Sequence, residues 1–121
     1  MTENPTIFGK IINGEIPCKK VYEDNEVLAF HDTSPAAEVH FLIIPKKHIR
    51  TLADVVSSDT ELLGKMLSLV PVLAAEQGLT AGFRTAINTG KQGGQEVYHL
   101  HIHVFGNRPG GEPLRAIAGK I

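Results

Sequence analysis

Tryptophan is absent, and cysteine occurs once, as Cys18. A lone cysteine excludes an internal disulfide framework and any multi-cysteine metal site, and it fits a reducing compartment. Its neighbour Pro17 puts it in a loop, and nothing around it marks a reactive thiol. An excess of one charge is also missing. Twelve Lys+Arg stand against thirteen Asp+Glu, a formal net charge of −1. Without a basic surplus there is no electrostatic footprint for a polyanion, so nucleic acid is not expected as a partner. Long apolar runs are lacking too: Phe41-Leu42-Ile43-Ile44 is far shorter than a bilayer span. Met1-Thr2-Glu3-Asn4-Pro5 has neither the basic start nor the apolar core of a signal peptide. The expectation is a soluble, cytoplasmic chain with no membrane partner.

What is present suits one domain. A mass of 13.1 kDa corresponds to roughly 6,400 Å² exposed when folded, against about 19,000 Å² for the extended chain. That burial supports one hydrophobic core and not two. The expected layout is a single domain over residues 1–121, with an irregular tail from about 107 where Pro109, Gly110, Gly111 and Pro113 cluster. There is no internal repeat.

Asn4 can cap a first helix with Pro5 in its first turn, and Ile7, Phe8, Ile11 and Ile12 then share one helical face before Gly14. Val21-Tyr22 and Val27-Leu28-Ala29-Phe30 flank Glu23-Asp24-Asn25-Glu26, a hairpin pattern. His40 to Ile44 reads as a strand stopped by Pro45, after a loop carrying Ser34-Pro35. Ser58-Asp59-Thr60-Glu61 matches a capping box ahead of a long apolar-periodic helix that contains Pro71 and closes at Gly78. Strands follow over 83–88 and 97–105, with a glycine-rich loop over 89–95. The order predicts an α+β fold: an antiparallel meander sheet with two main helices packed on one side.

The chemistry concentrates in Tyr98-His99-Leu100-His101-Ile102-His103-Val104. Strand alternation puts the three histidines on one face and Leu100, Ile102 and Val104 on the other. Three readings compete: a solvated polar face, a metal site built on His-x-His, or histidine catalysis at a phosphoryl or acyl centre. The loop Asn88-Thr89-Gly90-Lys91-Gln92-Gly93-Gly94-Gln95 runs into this strand. It lacks the Gly-Lys-Ser/Thr of a P-loop, and alone it fits a flexible hairpin. Beside three histidines, its glycines suit an anion-binding backbone nest.

These motifs, with His40-Phe41-Leu42-Ile43-Ile44-Pro45-Lys46-Lys47-His48, resemble the histidine triad (HIT) family, in its nucleotide-binding protein branch. Thr6-Ile7-Phe8-Gly9-Lys10-Ile11, Glu15-Ile16-Pro17 and Phe30-His31-Asp32-Thr33-Ser34-Pro35 extend the similarity over nearly the whole chain. The resemblance implies a HIT-like fold whose sheet continues across a homodimer. It implies that His101 is the nucleophile, that His103 assists the leaving group, that His99 shapes the cluster and that His40 supports the proton network. Asp32, with Thr33 beside it, would bind the ribose. Ile7, Phe8, Ile11, Phe30 and His31 would line the base pocket, and Asn88, Gly94 and Gln95 would border the phosphate. Without the resemblance, Phe8 and Phe30 fit the core, Asp32 fits a turn cap, and His31 and His48 fit the surface.

Three features depart from relatives. Zinc-binding members carry Cys-x-x-Cys where this chain has Thr6 and Gly9, so no metal and no cofactor is expected. Glu96 stands where some relatives have a serine near the phosphate. Val104-Phe105-Gly106 replaces the Pro-Arg that follows the triad in the dinucleoside polyphosphate branch. The implied function is hydrolysis of purine nucleoside 5′-phosphoramidates (adenosine 5′-monophosphoramidase type) through a nucleotidyl-histidine, with purine nucleoside monophosphate as ligand. The alternatives are a non-catalytic nucleotide sensor or scaffold and a His-ligated metalloenzyme.

Overall fold

A computed structural model describes residues 4–117. The order is α1 (Ile7–Ile12), β1 (Lys20–Glu23), β2 (Val27–His31), β3 (Val39–Pro45), α2 (Thr60–Glu76), β4 (Arg84–Ala86) and β5 (Ile102–Gly106). The five strands form one antiparallel sheet in the order β1-β2-β3-β5-β4, an α+β fold as the pattern predicts. The first three strands are consecutive hairpins; β5 then returns between β3 and β4. In the β1–β2 turn, Asp24 Oδ1 accepts from the backbone N–H groups of Glu26 and Val27. Lys65 of α2 reaches Asp24 at 2.7 Å, tying the long helix to this hairpin.

Only one helix is long, and the two helices do not share a side of the sheet, contrary to the sequence-based expectation. Val27 and Ala29 of β2, Val39, Phe41 and Ile43 of β3, and Ile102 and Val104 of β5 pack with Met66, Val70, Leu73 and Ala74 of α2. The alternate strand residues Leu28, Phe30, Leu42 and Ile44 form a second cluster with Phe8 of the six-residue α1. All seven β3 residues are buried because apolar layers cover both of its faces. Helical periodicity says which side of a helix is apolar, not which sheet face receives it.

The helix starts also differ. Thr6, not Asn4, is the N-cap of α1, its hydroxyl accepting the Gly9 N–H at 3.1 Å. Ahead of α2, a 3₁₀ turn spans Ser57–Asp59. There the buried Asp59 carboxylate holds the Val56 N–H and the Lys47 ammonium, leaving no side-chain cap on the helix. The helix runs through Pro71 as one element, and Gly78 follows it with φ +86.

The last strand is shorter than predicted, Ile102–Gly106 in place of 97–105. Its ladder with β3 ends at Ile43↔Ile102. Pro45 lies just beyond and has no N–H to offer a partner strand. Leu100 donates its N–H to the Ile49 carbonyl instead, 2.7 Å away. So His103 alone of the three histidines lies on a strand, and 98–101 form a separate loop segment. Likewise β4 covers Arg84–Ala86 and not 83–88. Residues 107–117 contain no helix or strand, and no helix among the described residues is long and apolar enough to cross a membrane.

Candidate active site

The sheet face that carries α1 also carries the imidazoles. His103 on β5 lies opposite Leu42 of β3, so His40 is its diagonal neighbour on the same face. His40 Nε2 and His103 Nδ1 are 3.0 Å apart. The Ala36 N–H donates to His40 Nδ1 at 2.9 Å. That bond assigns the tautomers: His40 carries its proton on Nε2 and gives it to His103 Nδ1, so His103 presents Nε2–H to the site. Asp32 Oδ2 lies 3.6 Å from His40 Nε2, while Oδ1 accepts the Ser34 N–H at 2.7 Å.

His101 sits one step beyond the strand. Its Nδ1–H donates to the His99 carbonyl at 2.7 Å, which leaves a lone pair on Nε2. The ring abuts His103 at 4.8 Å between centroids and the edge of Phe8 at 5.0 Å. His99 is fully buried. It donates Nε2–H to the Pro45 carbonyl at 2.7 Å and accepts at Nδ1 from the Asn4 amide at 2.9 Å.

Burial lowers the pKa of all four histidines. His103 is pushed down to about 4, first by desolvation and then by His101 and His40. His99 is likewise pushed down to about 4, with His48 and His101 adding to its burial. His101 and His40 are lowered by burial, opposed in part by the Asp32 carboxylate. At neutral pH the resting cluster is therefore neutral, and the His101 Nε2 lone pair is available.

The chain is similar to known proteins in both sequence and fold. Residues 13–110 match the HIT domain family. This chain belongs to the histidine triad family. It is 55% identical over 103 residues to a HIT-like protein of Synechococcus elongatus, covering 85% of this chain and 90% of that protein. Protein HitA of Neisseria gonorrhoeae is also 55% identical, over 83% of this chain and 94% of its own length. Among solved structures, a histidine triad protein from Clostridium difficile superposes with a TM-score of 0.87 at 42% identity, over 97% of this chain and 99% of its own. A HIT family hydrolase from Legionella pneumophila gives 0.81 at 48% identity, over 87% and 98%.

Within the triad site, contacts link Asp32, His40, His103, His101 and Phe8 in series. Phe30 touches Phe8 edge-on at 5.5 Å. Both phenylalanines are buried and belong to the core cluster on this face of the sheet. Ile7 is half exposed and Ile11 packs against the same cluster, whereas His31 follows Phe30 on β2 and is turned to the other face of the strand, partly buried. Thr33, Gly94 and Glu96 are exposed, and Asn88 is half-buried. Gln95 is buried and its side chain is committed to the loop. Its amide donates to the Arg50 and Val97 carbonyls and accepts the Gly90 N–H. It shapes the glycine-rich turn and does not offer its amide to a phosphate.

Sequence reasoning missed two residues. Asn4 serves the triad and not the helix cap, and His48 stacks on His99 with centroids 5.2 Å apart and planes 14° from parallel. Asp32, His40 and His103 bring three possible ligand atoms within 4.8 Å of one another. The tautomers oppose a metal there. With the Ala36 N–H on His40 Nδ1, the proton occupies Nε2, the very atom that would have to ligate.

Proposed function

We propose that this chain is a hydrolase of nucleoside 5′-phosphoramidates, purine-preferring, acting through a nucleotidyl-histidine on His101. The observation that carries the reading is the His101 ring. Its Nδ1–H is anchored on the His99 carbonyl, burial keeps it neutral, and Nε2 is bare beside the His103 donor. In the first step Nε2 attacks phosphorus and the P–N bond breaks. The substrate's negative charge favours the protonated form of His103, whose new Nδ1–H displaces the His40 Nε2–H towards Asp32 Oδ2, 3.6 Å away, and which passes its Nε2 proton to the departing nitrogen. In the second step water attacks the nucleotidyl-histidine, now neutral His103 takes its proton, and His101 is restored. The similarity to HIT family hydrolases of Legionella pneumophila and Clostridium thermocellum supports this class.

The test is turnover of a fluorogenic adenosine phosphoramidate with and without chelator. Equal turnover in both supports the reading. Binding of AMP without turnover would make the protein a sensor, and loss of activity to chelator would make it a metalloenzyme.

Asp32 is the proposed ribose ligand. Each carboxylate oxygen keeps a lone pair beyond its present contact. Asp32→Ala should weaken nucleotide binding by about 1.5–3 kcal/mol, the worth of hydrogen bonds to a charged group. A 2′,3′-dideoxy nucleotide should lose much less, as titration calorimetry can measure. Equal losses for both ligands would reduce Asp32 to the turn it makes with Ser34.

We also propose a homodimer. Leu67 and Val72 stand half exposed on α2. Sedimentation equilibrium at micromolar concentration should report twice 13.1 kDa; a monomer mass would remove the proposal.

A further inference from the structure

Asn4 sits at the edge of the described chain and 95 residues from its partner, yet its amide nitrogen is 2.9 Å from His99 Nδ1. We infer that Asn4 is a positioning residue, which locks His99 in its Nε2–H tautomer and thereby holds the carbonyl that orients the His101 nucleophile. The inference rests on the proposed role of His101.

The orientation of the Asn4 amide is set by its other end. Oδ1 accepts the Thr6 hydroxyl at 2.7 Å and the Thr6 N–H at 3.3 Å, so the nitrogen must face His99. His99 can then only accept at Nδ1. Its other nitrogen faces the Pro45 carbonyl, which can only accept, at 2.7 Å. Both ends of the ring thus demand the same neutral tautomer. The His99 carbonyl in turn takes the His101 Nδ1–H. The strap is tightly fitted. A Cβ on Gly9 would come within 2.5 Å of Asn4, and Thr6 both holds Asn4 and caps α1. That short helix delivers Phe8 to within ring contact of His99 and His101. One residue therefore couples the N-terminal segment to the reacting nitrogen.

The titratable groups that face His99 are His48, stacked on its ring, and His101. Replacing the Asn4 donor by a carboxylate reverses the demand at Nδ1. Asn4→Asp would place an acceptor against an acceptor, and a carboxylate kept ionised by the two Thr6 donors draws a second proton onto His99. A buried imidazolium then lies beside His101 and opposes the charge that develops on its ring during attack.

The experiment uses the full-length protein labelled with ¹⁵N histidine, together with steady-state rates. Wild type should show the His99 Nε2–H tautomer at neutral pH. Asn4→Asp should show His99 doubly protonated there, kcat lowered about tenfold, the scale of one hydrogen bond, and a rate that recovers as pH rises through the new His99 midpoint. Asn4→Gln, whose amide can still donate, should keep the neutral tautomer. An Nδ1–H tautomer in wild type overturns the inference without any variant having to fold. So does an Asn4→Asp protein whose His99 spectrum and pH profile match wild type. The spectrum is read without substrate, so failure of phosphoramidate turnover would strike the proposed function and leave this test standing.

Discussion

His101→Gly should lose more than about 10⁴-fold in kcat, beyond the 10²–10⁴ that an acid–base helper contributes. The reason is positional as well as chemical. The free nitrogen of His101 exists because the other is pinned to the His99 carbonyl, and no neighbouring imidazole duplicates that arrangement. His103 donates from Nε2, and His99 has both nitrogens occupied. Removing the ring leaves a cavity between Phe8 and His103, so added imidazole should restore part of the rate as a surrogate nucleophile. Methyl-blocked imidazole derivatives too large for the gap should not. Circular dichroism should be unchanged, because Ile102 and Val104, not His101, anchor this segment in the α2-side core. Rapid acid quench of wild type during turnover should recover an acid-labile nucleotidyl adduct at His101. A pH profile supplies a further check. Burial lowers the pKa of His101 below the ordinary 6.5, so the proposed nucleophile stays unprotonated as pH falls through that value. Its contribution to kcat/KM should be lost only on the more acid side. A fall centred at or above 6.5 would contradict a buried, neutral nucleophile.

His103→Ala should show the second large effect, graded by the leaving group. For basic aliphatic amines, which cannot depart without a proton, the loss should lie in the 10²–10⁴-fold range. For weakly basic aromatic amines it should be several-fold or less. The gradient follows from the tautomer chain: Ala36 N–H to His40 Nδ1, and His40 Nε2–H to His103 Nδ1, aims the second His103 nitrogen outward as a donor. Because desolvation and two neighbouring imidazoles hold His103 down to about 4, its acid form must be created by the negative charge of bound substrate. The alkaline limb of kcat, where His103 loses its proton, should therefore lie at higher pH than that of kcat/KM, the one reporting the complex and the other the free enzyme. A uniform loss across leaving groups would assign His103 to binding and not to proton delivery.

Much of this site was legible in the chain. The alternation over 99–104 announced imidazoles on one side and Leu100, Ile102 and Val104 on the other, and all three apolar residues are buried. His40 was placed beside the triad by resemblance, and β3–β5 pairing does bring it to His103. The hairpin at Asp24 and the long helix also follow from local signals, because turn chemistry and 3.6-residue periodicity act over a few positions. The misreadings have a common physical origin. Asn4 looked like a cap because Asn at a helix start ordinarily is one, yet Thr6 took that role once a buried histidine competed for the amide. The last strand is shorter than the alternation back to Val97 predicts, because hydrogen-bond supply stops at Pro45.

The sequence by itself determined which imidazoles stand together and, for His103 on its strand, the sheet face it takes, since the first follows from residue type and the second from a period of two. Only the tertiary structure decided what each imidazole can do. A histidine becomes donor, acceptor or nucleophile according to which group meets each ring nitrogen. Here those groups arrive from Asn4, Ala36 and Pro45, on segments as far as 95 residues from the ring they govern. The same holds for α1. Its apolar stripe required burial, but only the packed sheet, with apolar residues on both faces of β3, put that stripe against the imidazoles and the long helix on the other side.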